Sequence, residues 1–118
     1  IESDSIEKYK EGYLLTKQSI LWFQKMYTPK KDDQLNPDVS PIYHTDFTNL
    51  PHAFVLTAEF DPLKDEGRIY AEKMKAAGNI VLHKEYKQLV HGFYNLPKLS
   101  DESMQAHFDV QAFLKKVL

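Results

Sequence analysis

Two short apolar runs organise the chain. The stretch from Ala53 to Leu63 opens with one that ends abruptly in an acid, Asp61. Five or six apolar residues bounded by Pro51 and Pro62 suit a buried strand better than a helix. The second run, Ile80 to Tyr86, carries polar residues on both faces, with Lys84 beside Leu82 and Tyr86, and His83 and Glu85 beside Val81. That pattern marks an edge strand. Between the runs, Lys64 to Arg68 opens a helix whose Tyr70, Ala71, Met74 and Ala77 share a face and which Gly78 ends. Strand, helix and strand in this order predict two parallel strands with a right-handed crossover. Asp61 and His91 then each stand just past a strand. In open α/β sheets the crevice outside the carboxyl ends of the strands is where ligands bind, so the two side chains can meet there.

The flanks read less uniformly. Residues 1–12 mix acids, lysines and tyrosines without a clean period and are expected to be irregular or weakly helical. Thr16 can cap a helix from Lys17 to Tyr27, with Leu15 and Ile20 as a hydrophobic staple. Its stripe of Ile20, Leu21, Phe23 (or Trp22) and Tyr27 is read as core. From Tyr27 to Pro51, four prolines, two asparagines and the run Lys30-Lys31-Asp32-Asp33 predict a long extended loop, laid across a larger body. Asp65 and Glu66 suit the positive end of the helix they open. Ser100-Asp101-Glu102 caps a last helix to Leu118, with Ala106, Val110, Phe113, Leu114 and Val117 on one side. Two parallel strands are too few to bury both of their faces. Residues 1–118 are therefore read as one partial α/β domain: 1–50 a helix and long loop leading in, 51–118 a strand–helix–strand–helix unit carrying Asp61 and His91.

Composition narrows the function classes. Apolar residues make up 42% of the chain and charged residues 27%, which places it among globular and not disordered proteins. A net charge of −2 with no basic run gives no reason to expect nucleic acid or an anionic membrane. With no cysteine, thiol catalysis and disulfides are excluded, and the five histidines show no H-x-x-x-H or H-E-x-x-H spacing, so no metal is expected. His44, His52, His83 and His107 are read as surface or packing residues. No apolar stretch approaches the ~20 residues of a membrane span, and no signal peptide is visible, which favours a cytoplasmic setting. The chain opens at Ile1 and not Met, as a processed, cut or incompletely supplied polypeptide would.

The run Leu50-Pro51-His52-Ala53-Phe54-Val55-Leu56-Thr57-Ala58-Glu59-Phe60-Asp61-Pro62-Leu63-Lys64-Asp65-Glu66-Gly67, followed by Tyr70-Ala71, Ala77-Gly78 and His91-Gly92-Phe93, closely resembles the C-terminal end of the hormone-sensitive-lipase group of α/β-hydrolase esterases. Gly12-Tyr13, Leu15-Thr16, Trp22-Phe23, Asn36-Pro37 and Ser40-Pro41 extend the resemblance over nearly the whole chain. It implies a Ser-Asp-His triad acting on a small ester, with Asp61 as the acid, His91 as the general base, no cofactor, and a tendency toward short or medium acyl groups. Neither G-x-S-x-G nor a His-Gly-Gly-Gly loop occurs in this sequence, so the serine and the oxyanion loop are expected upstream of Ile1, in a missing N-terminal part of the hydrolase. Gly92 is expected to turn the backbone so that the imidazole faces the cleft. Two departures from the family pattern, Gln88 and Asn79, leave open the shape of the loop carrying His91. The competing reading is a non-catalytic fragment or association module, a homodimer paired through the edge strand.

Overall fold

A computed structural model describes residues 2–118. Its regular elements are α1 (Asp4–Lys8), α2 (Lys17–Tyr27), β1 (Ala53–Phe60), α3 (Lys64–Ala76), β2 (Val81–Val90) and α4 (Asp101–Val117), with short 3-10 turns at 31–35, 41–43 and 93–95. α1, α2 and α4 begin where the sequence supplies a side-chain cap, whereas α3 begins without one. Thr16 Oγ1 accepts the Ser19 N–H at 3.1 Å while Ser19 Oγ accepts the Thr16 N–H at 3.0 Å, a reciprocal box that starts α2. Ser100 Oγ accepts the Ser103 N–H at 3.1 Å and starts α4. Acids in the first turn of α3 and lysines in its last complement the helix dipole, and Gly78, at φ +92°, turns the chain out of it.

β1 and β2 pair in parallel, and side chains alternate between the two faces. Phe54 meets Phe113 of α4 on one face, where Ala58, Tyr86, Leu89, Phe93 and Ala106 form the buried core. Thr57 lies against Gly67 of α3 on the other. The polar residues of β2 are absorbed on both sides. Lys84 and Tyr86 reach Asp109 of α4 at 2.5 and 2.7 Å, whereas His83 Nε2 lies 3.0 Å from Thr57 Oγ1 and Glu85 pairs with Lys64 at 3.3 Å.

Three local expectations are revised, and the weakly helical reading of the N-terminal segment is made definite. β2 begins one residue later than Ile80 and continues past Tyr86 to Val90, because a bulge absorbs Lys87 and Gln88 and pairing resumes at Phe60 opposite Val90. The N-terminal segment forms a single helical turn capped by Ser3, held by contacts with residues some sixty positions away. The loop before β1 is tightened by two 3-10 turns instead of running extended throughout. Finally, α2 buries none of its residues: Leu21, Trp22, Phe23 and Met26 are all more than half exposed, so its apolar stripe is not core within the described residues.

Candidate active site

The chain leaves β1 at Phe60, and Asp61 is the next residue, buried at 8% exposure. Its two carboxylate oxygens have separate duties. Oδ1 accepts the Leu63 N–H at 2.8 Å, a local turn around Pro62 that fixes the plane of the carboxylate. Oδ2 lies 2.9 Å from Nδ1 of His91, the first residue after β2. The structure thus brings together the two residues singled out from the sequence. The turn role and the pairing role of Asp61 coexist.

The pairing determines what the imidazole can do. With the ring proton on Nδ1 donated to the carboxylate, Nε2 is left as the acceptor. The hydrogen bond to Asp61 raises the His91 pKa above its ordinary value, against a smaller opposing effect of burial, and the neighbouring negative charge acts in the same direction as the bond. Asp61 is sheltered while the His91 side chain is 46% exposed, so the carboxylate is locked behind a ring that remains open to reactants.

Both supporting segments are pinned. Ahead of the pair, Ser5 of α1 is buried; its Oγ donates to the Pro62 carbonyl at 2.7 Å and accepts the Asp65 N–H at 3.2 Å, while its own N–H donates to Asp65 Oδ2 at 2.8 Å. The turn carrying Asp61 is thereby tied down from the far end of the chain. Behind the pair, Gly92 takes φ +82°, a left-handed turn that glycine adopts without penalty. The buried Ser103 Oγ lies 2.9 Å from the carbonyls of both Phe93 and Leu96, and Tyr94 stacks on His107 at 4.0 Å between ring centroids. His107 and His83 are packing residues, in line with the sequence reading. Asn79 has a structural use: its amide donates to the carbonyls of Phe47 and Met74 and its oxygen accepts the Leu50 N–H, joining the end of α3 to the approach to β1.

Ser5 escaped the sequence reading, since nothing local distinguishes it; the only signal was the Ser3 cap site before a short acidic turn. Among the described residues no three His, Asp or Glu side chains are grouped to hold a metal ion, and no helix is long and apolar enough to cross a membrane. A groove of about 790 Å³ between α2, the 34–43 segment and the start of α3 includes Phe23, Tyr27, Ile42 and Tyr70 but neither Asp61 nor His91.

Comparison with known proteins shows the family and the fold. Residues 1–95 match the family described as alpha/beta hydrolase fold. The carboxylic ester hydrolase LipN of Mycobacterium tuberculosis is 38% identical over 103 residues, covering 86% of this chain and 27% of LipN. The arylesterase of Saccharolobus solfataricus is 37% identical over 101 residues, covering 85% of this chain and 33% of the relative. Among solved structures, a hyperthermophilic esterase from Pyrobaculum calidifontis superposes with a TM-score of 0.91 at 36% identity, over 98% of this chain and 39% of that one. The chain therefore spans about a third of the length of the relatives it matches. It belongs to the α/β-hydrolase fold family, with esterases as its relatives.

Proposed function

We propose that this chain supplies the acid and the base of a carboxylic-ester hydrolase, Asp61 and His91, and that the nucleophilic serine and the oxyanion loop come from a preceding part of the hydrolase domain. The observation that carries the reading is the 2.9 Å contact between Asp61 Oδ2 and His91 Nδ1 at adjacent strand ends. A serine hydroxyl becomes a competent nucleophile only when a base takes its proton. His91 Nε2 accepts that proton as the oxygen attacks the ester carbonyl, and Asp61 steadies the imidazolium that forms. The imidazolium returns the proton to the departing alcohol. Water, activated by the same nitrogen, then cleaves the acyl-enzyme and regenerates the serine.

The outer edges of the two strands support different neighbours. β1 is nearly all apolar, as an inner strand of a sheet covered on both faces would be, and the edge it does not share with β2 suits strands from the preceding part of the hydrolase domain. β2, with polar residues on both faces, suits the rim of that sheet, where a second copy could pair. Within the complete hydrolase, Asp61→Asn and His91→Ala are each expected to lower kcat for p-nitrophenyl butyrate by about 10³-fold or more. Hydrolysis at the wild-type rate by either variant overturns the assignment.

A further inference from the structure

From Ala53 opposite Val81 to Ala58 opposite Tyr86, each β1 residue faces the β2 residue 28 positions later, but Phe60 faces Val90, which is 30 later. Without that break, Asp61 would stand beside Leu89, and His91 would lie two residues further along, about 7 Å away at ~3.3 Å per residue. The advance is absorbed around Lys87 and Gln88, where Gln88 takes φ +59°, a region unfavourable to any residue with a Cβ. Across the strands, Glu59 Oε2 accepts the Gln88 backbone N–H at 2.8 Å.

We propose that Glu59 is a positioning residue: its carboxylate locks the bulge whose two-residue advance delivers His91 to Asp61. This role rests on the reading of Asp61 and His91 as acid and base. Glu59 touches neither catalytic side chain; its hydrogen bond goes to the backbone of Gln88, three residues before the base, while Glu59 itself stands two residues before the acid, and its charge also acts on Lys8 and Lys87.

The test compares Glu59→Ala, Glu59→Gln, Glu59→Ser, Glu59→Ala/Gln88→Gly and Asp61→Asn in the complete hydrolase, with p-nitrophenyl butyrate as substrate. Misplacing a catalytic group by about 1 Å can cost up to ~10²-fold, so Glu59→Ala is expected to lower kcat about tenfold with KM within about twofold. The acidic limb of kcat/KM moves to lower pH as the Asp61–His91 bond lengthens, a change that loss of folded protein does not produce. Glu59→Gln retains most of the rate because an amide oxygen still accepts the N–H. Adding Gln88→Gly to Glu59→Ala restores most of the lost rate, since glycine occupies the left-handed region unaided. Should Glu59→Ala not fold, Glu59→Ser, too short to reach the amide, is expected to be slow where Glu59→Gln is fast. Equal rates and equal pH limbs across the Glu59 variants, with Asp61→Asn inactive, overturn the role of Glu59 alone. An active Asp61→Asn overturns the acid–base reading beneath it.

Discussion

Ser5 gives the most exposed test of how the site is held. Ser5→Ala removes the Oγ that donates to the Pro62 carbonyl at 2.7 Å and accepts the Asp65 N–H at 3.2 Å, but leaves the backbone N–H that donates to Asp65 Oδ2. Pro62 is fully buried, so its carbonyl loses a partner that water cannot replace, whereas Asp65 is only half-buried. A buried polar group left without a partner costs about 1–3 kcal/mol; one full penalty and a partial second amount to about 2 kcal/mol. Urea titration of the complete hydrolase, with a slope of about 2–3 kcal/mol per molar, should show the midpoint lowered by ~0.7–1 M at unchanged slope. A midpoint within about 0.2 M of wild type would refute the claim that the clamp from α1 holds the turn carrying Asp61.

Two further outcomes follow from contacts elsewhere in the fold. Asp109 is held down to a pKa of about 2, first by the Lys84 ammonium and also by the Gln105 amide and the Tyr86 hydroxyl. Its folded pKa lies below the unfolded one, so its stabilisation is present above about pH 4 and is lost as pH falls toward 2. Because Lys84 stands partly in solvent, the loss is about 1 kcal/mol, and acid titration of Asp109→Asn should show a correspondingly shallower fall. At Gly92 an added Cβ meets no atom within 4 Å, so Gly92→Ala carries only the strain of φ +82°, about 1 kcal/mol, and Gly92→Asn less, both read as a drop in melting temperature.

The contact between Asp61 and His91 was legible because each residue stands just past a strand-like run, and strand direction alone puts both at the same end of a parallel sheet. The three long helices were legible through Thr16, Ser100 and Gly78, whose side chains or lack of one act within their own turn. What escaped depends on partners distant in sequence. Ser5 has no local mark, and its neighbours Pro62 and Asp65 come close only once α3 has docked. Lys87 and Gln88 look like the end of a strand, yet the Glu59 carboxylate holds them as a bulge and the strand goes on. The stripe on α2 shows that a helix has an apolar face; periodicity says nothing of what covers it, and the described residues leave it open.

The pH dependence of kcat/KM in the complete hydrolase, compared between wild type and Asp61→Asn, addresses the acid–base pair itself. Only the neutral imidazole accepts the serine proton, so the rate rises with pH through the His91 pKa. Because the bond from Asp61 raises that pKa, the wild-type acidic limb should lie above the ordinary histidine value of 6.5 and move down when the carboxylate becomes an amide, with a large loss of rate. An acidic limb at the same pH in both proteins, with comparable rates, would contradict the pairing of Asp61 with His91 as the source of the activity.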